Sequence, residues 1–317
     1  MKRFSTGTAI GDGFRLAAAR PLAVFVWGLV ILGPALGALA LIMPVMAEMI
    51  ADLPAPNGEG ADDAVTQRMF AEMMQLQAAS MVLNIGQLLG MVVVYTAIFR
   101  AVLRPDERSV FSLRIGMDEL RVAVVGLAIA VGLYVVIIVA VLLGAALGFA
   151  LFSGADDGVA TAVLVCLGLG LFVALLWVMA RVSMMGPASV SYRDFAFVQG
   201  WKLASGQAWR LFGMMLLIVL MMLVVQLVVV IAVVLALSGV LTTELLTDPN
   251  FNLFANVNGW LAANWGWAAL GAAVWSMAYG LMLTVSIAPF ASACRQLSAT
   301  ANAGPAVVPP LSAAPMV

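Results

Sequence analysis

Residues 122–180 read VAVVGLAIAVGLYVVIIVAVLLGAALGFALF, then SGADDG, then VATAVLVCLGLGLFVALLWVMA, and the reading of this stretch decides the fold. Neither apolar run, 122–152 or 159–180, contains a charged residue. Each is long enough to cross a hydrocarbon core, which takes about 20 apolar residues as a helix. Valine-rich segments favour strands in water. In lipid, however, every backbone N–H and C=O must be satisfied within its own segment, so both runs are expected to be helical. The polar turn Ser153-Gly154-Ala155-Asp156-Asp157-Gly158 joins them as an antiparallel hairpin.

Four more long apolar runs, without Lys or Arg in their interior, lie at about 22–49, 79–99, 211–238 and 266–290. The 317-residue chain is 64% hydrophobic and only 10% charged. Soluble domains carry about 25% charged residues, so a water-soluble fold of this size would lack the polar surface it needs. The expected fold is all-α: a polytopic membrane helix bundle of six transmembrane helices with short cytoplasmic interfacial helices. Residues 1–296 are expected to form a single membrane domain. The Ala-, Pro- and Ser-rich residues 297–317 are expected to form a disordered cytoplasmic tail. Lys2 and Arg3 resemble the start of a secretory signal, but the apolar run from Pro21 to about Ile50 exceeds a signal core of roughly 7–15 residues and is read as the first span.

All but one of the 15 basic residues fall in alternate connections. Lys2, Arg3, Arg15 and Arg20 precede the first span; Arg100, Arg104, Arg108, Arg114 and Arg121 lie between the second and third; Arg181, Arg193, Lys202 and Arg210 lie between the fourth and fifth; Arg295 follows the sixth; Arg68 is the exception. The positive-inside rule assigns these connections, and both termini, to the cytoplasm of a bacterial inner membrane. Acids gather on the other side, at Glu48, Asp52, Glu59, Asp62, Asp63, Glu72, Asp156, Asp157, Glu244 and Asp248. Trp260, Trp265 and Trp267 mark an outer interfacial belt, and Trp201 and Trp209 an inner one. From Asp63 the first outer loop turns helix-like, either lying on the surface or extending the second span.

Gly13-Phe14-Arg15-Leu16-Ala17 before the first span echoes Gly200-Trp201-Lys202-Leu203-Ala204 before the fifth, with Phe25 and Phe212 following each glycine by the same interval. Gly116-Met117-Asp118-Glu119-Leu120-Arg121 is a fainter version. Two readings stand: three parallel hairpin repeats over 9–100, 109–182 and 193–295, or convergent selection for aromatic and basic residues at the inner interface.

The segment from Trp201 to Phe212, taken with Ala180-Arg181-Val182-Ser183 and Gly186-Pro187-Ala188, resembles bacterial membrane proteins grouped with the membrane domain of glycerophosphodiester phosphodiesterases. Those proteins show a similar arginine, small-residue and proline run after a span, then a Trp-Lys-Leu and an aromatic-basic start. Leu113 to Arg121 is similar to a segment of uncharacterised relatives. The resemblance implies a membrane-domain fold and a link to lipid metabolism. It does not carry over the hydrolytic activity, because no soluble stretch long enough for a catalytic domain is present.

The chain has no histidine, which removes Ser-His-Asp and Cys-His catalysis and histidine metal sites. Cys166 and Cys294 sit in or beside different spans and are read as packing residues, not a disulfide. No metal, cofactor or catalytic site is expected, and nucleic acid is not an expected partner. The intramembrane polar candidates are Gln226, Asn84 and Gln87, either as interhelical hydrogen-bonding groups or as the lining of a solute path. Gly33 with Gly37, Gly86 with Gly90, and Gly144 with Gly148 permit close helix packing. At the inner interface the candidates are Arg114, Asp118, Glu119 and Arg121, of which Arg114, Asp118 and Arg121 are spaced as one charged strip on a helix, and Trp201, Lys202, Trp209 and Arg210. Ser191 and Asp194 are spaced as a capping box opening a surface helix, with Gly206 as its C-terminal stop. The functional expectation is a non-enzymatic scaffold or assembly partner in the membrane, with lipid and a membrane protein or a second copy as partners. The alternatives are a small-solute transporter or channel, or a membrane domain linked to glycerophosphodiester metabolism.

Overall fold

A computed structural model describes residues 4–51, 63–106, 110–114, 116–154, 157–240 and 253–302. The Pro- and Gly-rich opening of the first outer loop, the turn residues Ala155 and Asp156, most of the loop after the fifth span, and the tail from Ala303 lie outside the described residues. The described chain is helical, with no strand. A surface helix α1 (Thr6–Ala19) leads into α2 (Pro21–Ala51) and α3 (Asp63–Leu103). A 3₁₀ turn (Val110–Ser112) precedes the hairpin α4 (Met117–Gly154) and α5 (Asp157–Val182). Two short helices, α6 (Met185–Tyr192) and α7 (Phe197–Ala204), lead to α8 (Ala208–Val240), and α9 (Leu253–Ala263) leads to α10 (Trp265–Asn302). Six of these helices, α2, α3, α4, α5, α8 and α10, are long and apolar enough to cross a membrane.

Local chemistry sets the boundaries. Ser5 caps α1, its Oγ accepting from the Thr8 amide at 3.4 Å. Proline disfavours helical geometry in the residue before it, and Arg20, ahead of Pro21, leaves the helical region at φ −135°, ψ 58°. That break separates the surface helix from the first span. Gly206 takes φ +78° in the turn between α7 and α8, where a side chain would be strained. The expected capping box does not form: α6 runs through Ser191 to Tyr192, and α7 starts after Ala196 without a side-chain cap. Ser189 serves instead, its Oγ accepting from the Ala196 amide at 3.2 Å, while Asp194 accepts from the Phe195 amide. Pro34, Pro44 and Pro289 are accommodated inside continuous helices.

The helix-like part of the first outer loop extends the second span, since α3 begins at Asp63. At the other terminus α10 continues to Asn302, past the boundary expected at 296. Leu297 is buried with Phe4 and Ala9, and the Ser5 amide donates to Gln296 Oε1 at 3.0 Å. These contacts hold the last turns of the helix in place. They also bring the two ends of the described chain to the same end of the bundle, the end where the basic residues lie. We call it the basic end.

The core sits there as well. Trp27, Ile31 and Val24 of α2 pack with Val94 and Ile98 of α3 and Ala288 of α10, all fully or almost fully buried. A second cluster joins Phe4 and Ala9 of the N-terminal segment to Met184, Leu211 and Met214. Elsewhere α4, α5 and α8 present outward apolar faces such as Leu142, Phe149, Leu169 and Leu223, as lipid-facing helices do. Gly33, Gly37, Gly86 and Gly144 have open space where a Cβ would sit, so the Gly-x-x-x-Gly pairs are not general packing seams. Only Gly90, against the Val30 carbonyl, and Gly148, against Leu164, meet a neighbour. The closest approach is between Gly28 of α2 and Gly280 of α10. A Cβ on the first would overlap the Ser276 carbonyl, and one on the second the Val24 carbonyl.

The glycines of the internal echo share a packing role. Gly13 lies against Val285 and Pro289, and a Cβ on Gly200 would come within 2.6 Å of Met185 Cα. Gly116 meets only the side chain of Glu119, in the adjoining first turn of α4, at 3.7 Å, and a single 3₁₀ turn stands where a surface helix would precede the third span.

Candidate functional site

The basic end holds a charge cluster built around Arg100, which is 2% exposed at the end of α3. A buried guanidinium must have its donors and charge matched. Here Nη2 meets Glu119 Oε1 at 2.5 Å, Nη1 donates to the Ser112 carbonyl at 2.9 Å, and Nε lies 3.8 Å from Asp118 Oδ2. One turn later, Arg104 pairs with Asp118 Oδ2 at 3.1 Å and donates to the Val190 carbonyl. Arg121 pairs with Asp118 Oδ1 at 3.0 Å. Asp118 and Glu119 stand in the first turn of α4, where acids also complement the helix dipole.

The connection opposite is held in an uncommon shape. Phe111 and Ser112 have φ of 54° and 57°, a left-handed geometry that costs a residue with a side chain. Three donors hold it there: Trp27 Nε1 to the Phe111 carbonyl at 2.9 Å, Arg20 to Ser112 Oγ at 3.1 Å, and Arg100 to the Ser112 carbonyl. Arg193, with φ 55°, ends α6 in the same geometry.

Between these elements lies a polar cavity of about 290 Å³, lined by Arg100, Arg104, Arg114, Arg121 and Arg193 together with Asp118, Glu119, Gly116 and Met117. Five arginines and two carboxylates line it, in partly desolvated surroundings where fields are stronger than in water. Glu119 Oε2, buried at its floor, has no hydrogen-bond partner among the described residues. Among the described residues the pocket presents no paired nucleophile and base. Among the described residues no group of three or more His, Cys, Asp or Glu side chains is arranged to hold a metal ion.

Of the predicted interface residues, Arg114, Asp118, Glu119 and Arg121 come together in this pocket. They do not form one helical strip, because α4 begins at Met117 and Arg114 stands before it on the incoming loop. Trp201 stacks on Arg181, whose guanidinium is sandwiched 4.9 Å from Trp201 and 4.4 Å from Trp177. Together with the contact between Gly200 and Met185, this packs the motif segments on either side of α6 against each other. Lys202 and Trp209 are exposed, Trp209 standing edge-on to Phe212, and Arg210 Nη1 lies 3.5 Å from the Phe4 carbonyl.

The intramembrane candidates do not converge. Asn84 is exposed on α3 and Gln226 on α8, while Gln87 is half-buried. Gln226 makes no hydrogen bond among the described residues and lies in a shallow groove with Met222, Met282 and Ser286.

Sequence reasoning missed Arg100, Arg104 and Arg193, which read only as topology markers, and Trp27, which read only as part of an apolar run. It also missed Asp12. This buried carboxylate accepts from Ser292 at 2.6 Å and Arg295 at 3.0 Å through one oxygen and from Arg15 at 2.6 Å through the other, joining α1 to α10. The available signal was an arginine closing an apolar span next to a loop with paired acids. Comparison with protein families, with curated proteins and with solved structures finds no match for the chain.

Proposed function

We propose that this chain is a non-enzymatic assembly partner in a bacterial inner membrane, with both termini in the cytoplasm. The exposed position of Gln226 carries the reading. A glutamine amide in the apolar middle of a span is satisfied by hydrogen bonds, and this one finds none among the described residues of its own chain. A helix of a neighbouring polypeptide laid in the groove beside Met222 and Met282 would supply them. A second copy of the chain is the simplest source. A solute path, by contrast, needs polar groups facing one another across an interior, and Asn84 and Gln226 face outward from different helices. Resemblance to the phosphodiesterase-associated membrane domain is part of this proposal as a kinship of fold.

The test is the size of the purified full-length protein in mild detergent. An assembly larger than one chain is expected. Gln226→Leu should weaken its association by about ten-fold, the effect of an interhelical hydrogen bond of about 1–2 kcal/mol. A monomeric wild type, or a leucine variant that assembles as well as the wild type, would remove the reading. Fast labelling of Gln226→Cys by a membrane-impermeant thiol reagent, with Cys166 and Cys294 replaced, would favour the solute path instead.

The cytoplasmic placement of the basic end has its own check. A periplasm-active reporter fused after Asp157 should be active, and the same reporter fused after Ser298 should be silent. Activity of the Ser298 fusion would contradict this orientation.

A further inference from the structure

The arginine pocket holds two unmet requirements of opposite sign. Arg114 stands exposed on its rim and makes no hydrogen bond or ion pair among the described residues. At its floor Glu119, 6% exposed, has one carboxylate oxygen buried without a donor among the described residues. A simple anion would answer the first and be repelled by the second. A ligand that answers both carries an anionic group and, a few bonds away, a hydroxyl donor.

The surroundings of the pocket narrow the choice. Met117 lines the cavity and is also the first member of an exposed apolar stripe on α4, continued by Leu120, Val124 and Leu127, which are 50%, 39% and 65% exposed. Their spacing of three and four residues places them on one helical face that leads from the pocket along the span. A free phosphate has no use for such a stripe, whereas the acyl chains of a phospholipid would lie along it. Basic pockets between spans at headgroup level are suited to such lipids.

We propose that this pocket binds the headgroup of an anionic phospholipid bearing hydroxyl donors. The phosphate is held by Arg114 and Arg121 in the field of the other arginines, the headgroup hydroxyl donates to Glu119 Oε2, and the acyl chains follow Leu120 and Val124. The site does not rest on the assembly reading, because it uses α3, α4 and Arg193 and none of the α8 face that carries Gln226.

The test is thermal unfolding of the full-length protein in a neutral detergent, titrated with dihexanoyl phosphatidylglycerol, dihexanoyl phosphatidylcholine or inorganic phosphate at constant ionic strength. Phosphatidylglycerol should raise Tm saturably, and the other two should not over the same range. Arg114→Gln should leave the ligand-free Tm unchanged and raise the half-saturating concentration about ten-fold, as loss of a charged hydrogen bond does. Arg114→Lys should fall between. Leu120→Gln, on the exposed stripe, should also weaken the lipid response while leaving the pocket's charges in place. Equal stabilisation by inorganic phosphate would replace the lipid with a free anion and overturn the proposal. Equal stabilisation by phosphatidylcholine would overturn headgroup recognition. A phosphatidylglycerol response that survives both Arg114→Gln and Leu120→Gln would place binding elsewhere.

Discussion

Gly280→Val is expected to prevent the first and sixth spans from closing on each other, with little or no monodisperse protein recovered. At this crossing the obstacle to a side chain is backbone: the Val24 carbonyl of α2 occupies the place of the new Cβ. Overpacking in a core costs about 1–3 kcal/mol where side chains can shift. No rotamer relieves a clash with a carbonyl, so the effect belongs at or beyond the top of that range, on the order of 100-fold in the folded fraction. Gly28→Val, facing the same crossing against the Ser276 carbonyl, should behave alike. Gly271→Val is the control, since that glycine on the same helix has open space around it. Size-exclusion profiles of fluorescent fusions would compare the three, and a normal profile for Gly280→Val would contradict the close crossing.

Arg100→Ala comes next in size. It leaves Glu119 buried with neither carboxylate oxygen ion-paired to Arg100, and it removes the donor to the Ser112 carbonyl that helps hold the left-handed turn. Breaking a buried pair from one side costs about 3–5 kcal/mol, most of it the uncompensated charge that stays behind. The melting temperature in detergent should fall sharply. Removing both charges together, as Arg100→Met with Glu119→Leu, should recover much of the loss, because apolar groups of similar volume often replace a buried pair without penalty. A double variant no more stable than Arg100→Ala would mean that the turn at Phe111 and Ser112, and not the orphaned charge, dominates the cost.

The spans were legible because the bilayer imposes one rule on every segment, and a long uncharged run can satisfy it only as a helix. The pocket was legible only in part. Arg114, Asp118, Glu119 and Arg121 are close in the chain, so their cluster is visible as text. Arg100, Arg104 and Arg193 reach it from other elements, and their charges were already accounted for by the orientation of the loops. Asp12 lay in a Gly-Asp-Gly with no motif value, and its partners on α10 are about 280 residues away. The bearing of Gln226 was hidden for a different reason. Its helix is apolar on all sides, so no periodicity tells which face meets the bundle and which meets lipid.

The clasp between α1 and α10 bears on how the chain is made. Ser5 meets Gln296, and Asp12 meets Ser292 and Arg295, so α1 docks on a helix made about 280 residues later. Until the sixth span has been synthesised and inserted, Asp12 lacks these partners and Phe4 lacks Cys294 and Leu297 of its cluster. Helix α1 must wait while α2, α3, α4, α5 and α8 are made ahead of its partner. Its docking therefore reports that synthesis has passed Arg295, and a nascent chain halted before Ser292 is left with α1 unlatched.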